Sequence, residues 1–150
     1  MRPGLARPTR EARGRPSLES PIIFGPMKRV LVVEDDPTLR RVIELVLDAR
    51  GYTVDQARHG RAALDRMAEL PPDVVVADLR MPLMDGRELL ERMRGEPRLE
   101  AIPVILLTGN LEAAQSALGA DAVLTKPFEP ADLIATIERL TEKDAAPSAV

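Results

Sequence analysis

The sequence has no cysteine and no tryptophan, and aromatic residues are only 2% of its 150 positions. Without cysteine there is no disulfide framework, no thiolate nucleophile and no zinc-finger spacing, which fits a reducing compartment and makes the cytoplasm the expected location. With so few rings, the core has to be assembled from Val, Leu, Ile, Ala and Met, a composition suited to a sheet covered by helices. No apolar run approaches the roughly 18 residues needed to cross a bilayer, and the N-terminus lacks the apolar centre of a secretory signal, so no membrane contact is expected. Histidine is equally scarce: His59, the only one, stands beside Gly60 in a loop pattern and is expected to be exposed and idle.

Charge is unevenly spread. Residues 1–26 hold five Arg against two Glu, and the whole chain has a formal net charge of −3, so about six excess negative charges fall on the remainder. An acidic body of this kind is unsuited to a nucleic-acid surface, which concentrates Lys and Arg on one face, and no nucleic-acid binding by the domain itself is expected. Residues 1–26 are rich in Pro, Gly, Arg and Ser without a sustained period, the composition of a disordered basic extension.

From Val30 onward, short apolar runs alternate with helical patterns. Val30–Val33, Val74–Ala77 and Val104–Leu107 are unbroken β-formers, as parallel strands buried on both faces require, and Tyr52–Val54 and Ala122–Leu124 are shorter candidates. Leu39, Val42, Ile43, Val46 and Leu47 recur at helical spacing, as do Ala63, Leu64, Met67 and Ala68, then Leu133, Ile134, Ile137 and Leu140. Asp36-Pro37 is an N-cap followed by proline at the first helical position, Pro130 opens the last helix in the same way, and Gly51, Gly95 and Gly119 stand where helices end. Five βα units with right-handed crossovers predict an α/β fold: a doubly wound five-stranded parallel sheet of flavodoxin-like order 2-1-3-4-5 with five helices. The expected domain covers residues 27–141, with 142–150 as a short flexible tail. No second domain is expected, so the output has to use this domain's own surface.

In such a sheet the site forms outside the carboxyl ends of the strands, at the switch in strand order. Strand one ends in Glu34-Asp35-Asp36, strand three in Asp78, strand four in Thr108 and strand five in Thr125-Lys126-Pro127. Strands one and three are neighbours in this order, so Glu34, Asp35 and Asp78 converge. At an effective dielectric near 20, two like unit charges about 4 Å apart cost roughly 4 kcal/mol, so the cluster needs counter-charge or must protonate. Lys126 supplies one positive charge and a hard divalent cation two more; Mg2+, with Mn2+ as a substitute, suits oxygen ligands of this kind. Asp78 is then a nucleophile toward phosphorus, and the Thr108 hydroxyl and Lys126 ammonium bind phosphoryl oxygens.

The blocks Val32-Val33-Glu34-Asp35-Asp36, Val76-Ala77-Asp78-Leu79-Arg80-Met81-Pro82-Leu83-Met84-Asp85-Gly86, Leu107-Thr108-Gly109 and Thr125-Lys126-Pro127-Phe128 resemble the receiver domain of two-component response regulators, from about residue 28 to 141. The resemblance, to a stand-alone receiver of chemotaxis-regulator type, implies that Asp78 accepts a phosphoryl group from a histidine kinase or phosphotransfer protein. It implies that Glu34 and Asp35 are the acidic metal-binding pair, that Asp78 and the backbone carbonyl of Arg80 complete the protein ligands, and that Asp36 lies outside the pair as the helix cap. Thr108 matches the switch hydroxyl and Lys126 the phosphate-binding lysine, whose bond to Pro127 is cis in the family. The protein is then a signalling phosphoprotein rather than an enzyme, acting on a downstream protein partner that the sequence does not identify.

Two departures stand out. Val123 replaces the aromatic residue that many receivers carry three positions before the lysine, and only 18 positions separate Thr108 from Lys126, about one helical turn less than usual. A phosphorylation-independent interaction module is the alternative these departures leave open. Other phosphate-handling folds fit worse: there is no Gly-x-x-x-x-Gly-Lys-[Ser/Thr] nucleotide loop, an acidic first loop repels a flavin phosphate, and Arg80 stands where a haloacid-dehalogenase-like phosphatase has its second Asp.

Overall fold

A computed structural model describes residues 28–110, 112 and 119–145. In chain order these form β1 (Arg29–Val33), α1 (Pro37–Ala49), β2 (Thr53–Ala57), α2 (Gly60–Glu69), β3 (Val74–Asp78), α3 (Gly86–Arg94), β4 (Val104–Thr108), β5 (Ala122–Thr125) and α4 (Pro130–Ala145). All strand pairs are parallel and the sheet order is β2-β1-β3-β4-β5, the doubly wound arrangement expected from the alternating pattern. Four helices lie among the described residues. The helix expected between Thr108 and Lys126, with its shortening, falls outside them, as does the basic extension over 1–26.

Successive residues of a strand point to opposite faces, and the apolar runs use both. Leu31, Val33, Val75 and Leu106 pack with Ala63, Met67, Leu89 and Met93 of α2 and α3. Val30, Val32, Ile105 and Leu107 pack with Ile43 and Leu47 of α1 and Leu133 and Ile137 of α4. The central strands β3 and β4 are buried along their whole length, whereas β5, at the sheet edge, is only half-buried. The helical spacing drew too wide a core stripe: Ile43 and Leu47 take the centre of α1, leaving Val42 47% exposed at its margin, and Ala68 of α2 faces solvent.

The punctuation holds with three corrections. Asp36 Oδ1 accepts from the Thr38 backbone N–H at 2.9 Å, with Pro37 opening α1, and Gly51 (φ 92°) and Gly119 (φ 97°) take the left-handed conformation expected of them. Gly95 does not: its φ is −90°, and its N–H bonds to the Glu91 carbonyl at 3.1 Å as α3 tightens into further turns. His59 is not idle, because its Nδ1 accepts from the Ala62 N–H at 3.1 Å and caps α2. The last helix continues past 141 to Ala145, since Thr141 is buried and donates to the Ile137 carbonyl at 2.8 Å, extending the packed face beyond Leu140.

One close approach fixes the end of the central strand. The Gly86 N–H donates to the Leu79 carbonyl at 2.8 Å, drawing the start of α3 against the end of β3. A Cβ at Gly86 would lie 2.5 Å from the Asp78 carbonyl oxygen and 3.0 Å from Leu79 Cα, both backbone atoms, whereas one at Gly60 would meet the movable Met84 side chain. Gly86→Ala is therefore expected to lower stability by about 1–3 kcal/mol in urea unfolding. Gly60→Ala should lower it by less, and equal losses in the two variants would contradict the close-approach explanation.

Candidate functional site

Four strands deliver their last residues to one end of the sheet. Glu34 directly follows β1, Asp78 closes β3, Thr108 closes β4 and Lys126 follows β5. The backbone laces these ends together: Glu34 N–H donates to the Ala57 carbonyl at 3.1 Å, Leu79 N–H to the Leu107 carbonyl at 2.7 Å, and Lys126 N–H to the Thr108 carbonyl at 2.7 Å. The Lys126–Pro127 peptide is cis.

Carboxylate oxygens of Glu34, Asp35 and Asp78 all lie within 4.8 Å of one another. Glu34 is 1% exposed and Asp78 7%, while Asp35 is open to solvent. Lys126 Nζ bridges the two buried carboxylates, 3.3 Å from Glu34 Oε1 and 3.2 Å from Asp78 Oδ2. The other oxygens accept backbone bonds: Glu34 Oε2 from Asp36 N–H at 3.1 Å and Asp78 Oδ1 from Arg80 N–H at 3.3 Å. The buried Thr108 hydroxyl accepts from the Asn110 N–H at 3.1 Å, beside the Lys126 backbone. The sequence-selected residues Glu34, Asp35, Asp78, Thr108 and Lys126 thus meet at one end of the sheet, and Arg80 joins through its backbone while its side chain is exposed. Val123 is half-buried against the apolar layer formed with α2 and α3.

Sequence reasoning did not single out Arg40. Its Nη1 donates to the Glu34 carbonyl at 2.6 Å and its Nε to Gln56 Oε1 at 3.1 Å. Its position one turn into α1, directly after the acidic loop, is the one local signal that marks it.

One ammonium does not compensate three carboxylates. Burial, and then the neighbouring Asp78 charge, push the Glu34 carboxyl up to about 7 from an ordinary 4.5, although the Asp36 N–H and Lys126 oppose them. Burial pulls Lys126 down, but the Asp78 and Glu34 charges outweigh it and hold the ammonium above the usual lysine value. The cluster carries excess negative charge at neutral pH in a set of hard oxygen donors, and such a set fits a divalent cation such as Mg2+.

Because the folded-state pKa of Glu34 lies above its ordinary value, its contribution to stability is fully present below about pH 4.5 and is lost as pH rises through about 7. In metal-free protein, Glu34→Gln should therefore gain on the wild type between pH 5 and pH 8, by on the order of a few kcal/mol. Urea unfolding with a chelator at both pH values measures this, and parallel pH profiles would contradict it.

The model of the response regulator receiver domain family matches residues 30–138. RpaA of Synechocystis, described as a DNA-binding dual master transcriptional regulator, is 34% identical over 128 residues, covering 82% of this chain and 53% of RpaA. The chain thus spans about half the length of the curated relatives it matches. The structure of the chemotaxis response regulator CheY4 of Vibrio cholerae superposes with a TM-score of 0.71 at 34% identity, covering 77% of this chain and 99% of that one. The receiver domain of a sensor histidine kinase from Pseudomonas aeruginosa, with magnesium coordinated in its active-site cleft, gives 0.74 at 29% identity, covering 78% and 99%. The strand-end acidic cluster, the bridging lysine and these matches together establish that the chain belongs to the response regulator receiver domain family, the receiving module of two-component systems.

Proposed function

We propose that Asp78 accepts a phosphoryl group from a phosphohistidine of a histidine kinase or phosphotransfer protein, and that the phosphorylated surface then controls binding of a downstream protein. The observation that carries this reading is the convergence of Glu34, Asp35 and Asp78 within 4.8 Å, bridged by Lys126. In the transfer, an Asp78 carboxylate oxygen forms a bond to phosphorus while the P–N bond breaks, its electron pair leaving with the imidazole of the donor. Glu34, Asp35, Asp78 and the Arg80 carbonyl would hold Mg2+, or Mn2+ in its place, which supplies positive charge for the phosphoryl oxygens.

This chain's own residues do the rest. Asp78 is held by the Arg80 N–H at one oxygen and by Lys126 at the other, so its carboxylate is oriented before a donor arrives. Once a phosphoryl group is in place, the Lys126 ammonium and Thr108 hydroxyl are the donors for its oxygens, and Thr108 has to give up the bond it donates to the Asn110 carbonyl at 3.4 Å to reach them. Transfer in and hydrolysis out are both self-catalysed steps on one side chain, so the protein is a signalling phosphoprotein rather than a turnover enzyme. No described helix is long and apolar enough to cross a membrane, and the cysteine-free chain suits the cytoplasm where such donors act. Val123, small where many receivers have an aromatic residue, is the feature that favours the second reading, a receiver fold binding its partner without phosphorylation.

Intact-mass measurement after incubation with a small phosphoryl donor separates the two. The wild type should gain one phosphoryl group only with Mg2+, and Asp78→Asn should gain none. An unmodified wild type that also fails to bind Mg2+ would favour the phosphorylation-independent module.

A further inference from the structure

We infer that Arg40 is a positioning residue for the acidic metal-binding pair, acting through the backbone of Glu34. This rests on the proposed metal site. Glu34 lies just past the end of β1, where its carbonyl has left the regular ladder: β2 ends at Ala57, and the chain turns through Arg58 and His59 into α2. A carbonyl at such a place needs a donor. Arg40 supplies it from the first turn of α1, at 2.6 Å, the shortest bond that any side chain makes to a backbone carbonyl among the described residues.

The guanidinium is itself held. Its Nε donates to Gln56 Oε1 at 3.1 Å, and Gln56 stands opposite Val32 in the β1–β2 register, on the face of the sheet that α1 covers. Arg40 therefore ties three elements together at one point: the loop after β1, the end of β2 and the first turn of α1. The Glu34 backbone is pinned on both sides, by its N–H to the Ala57 carbonyl and by its carbonyl to Arg40. Its carboxylate has little freedom in consequence, and the next residue, Asp35, projects from the same fixed loop. Arg40 is not among the charges that shift the Glu34 carboxyl, whose causes are burial, the Asp36 N–H, Asp78 and Lys126. The contribution of Arg40 is geometric, through the carbonyl, rather than an added counter-charge.

Groups that orient metal ligands without touching the metal typically affect affinity by about 10- to 100-fold. Arg40→Ala should accordingly raise the Mg2+ dissociation constant at least about tenfold in calorimetric titration of folded, unphosphorylated protein. Arg40→Lys keeps a donor for the Glu34 carbonyl and should recover most of that loss. Gln56→Ala, a milder change that releases only the Nε arm, should fall between wild type and Arg40→Ala, and it serves if Arg40→Ala does not fold. Circular dichroism and urea unfolding with chelator establish which variants are folded, and a purely structural role would lower stability there without moving the metal affinity of the folded protein. Wild-type binding together with Gln56→Ala and folded Arg40→Ala within twofold of it would overturn the role of Arg40 alone. A wild type that binds no Mg2+ would overturn the metal site and this inference with it.

Discussion

Burial of two neighbouring carboxylates, Glu34 and Asp78, at the end of a parallel sheet is the constraint on which this structure turns. Glu34 and Asp78 are buried next to each other because β1 and β3 are neighbours in the sheet. The fold imposes the conflict, and the surrounding bonds contain it. Lys126 crosses from the end of β5 to reach both buried carboxylates, the Asp36 and Arg80 N–H groups take up the remaining oxygens, and Glu34 still resists ionisation until about pH 7. The protein thus keeps an under-compensated anionic cluster at a cost to its metal-free stability, a donor set whose residual charge fits a divalent cation.

The scaffold spends its most rigid elements on holding this point. β3 and β4 are buried throughout, and Gly86 allows α3 to start against the Asp78 carbonyl, closer than any side chain permits. On the opposite side, Arg40 ties the acidic loop to β2 and α1. Asp78 and Glu34 therefore sit buried on packed strand ends, while Asp35 and the Arg80 side chain stay open to solvent. Relatives that share this module include proteins about twice as long.

Much of this was legible in the sequence because the signals are local. Unbroken Val-rich runs mark buried parallel strands, Asp36-Pro37 marks a helix start, and four short blocks at strand ends mark the site. Long-range bonds leave no local trace. The Arg40–Gln56 bond spans 16 positions, and its arginine looks like any exposed helical charge; its neighbour Arg41 is such a charge, paired with Glu44 on the surface. The Lys126–Glu34 contact spans 92 positions and was recoverable only because the assumed strand order brought both ends together. The cap made by His59 is hidden for a related reason: imidazole can cap a helix, but residue type alone does not separate a cap from a loop residue. Helical spacing likewise marks a face without stating how much of it is covered, which is why Val42 lies exposed beside a buried Ile43.

Proton release on Mg2+ binding is the most direct measurement of the central claim. Calorimetric titration in buffers of different ionisation enthalpy, repeated from pH 6 to pH 9, counts the protons displaced when the cation enters. If excess charge at Glu34 and Asp78 is what the metal relieves, binding should displace a substantial fraction of one proton at the acidic end, falling toward none at pH 9, and Glu34→Gln should displace none. Binding with no proton release at any pH, or the same release from Glu34→Gln, would contradict the account.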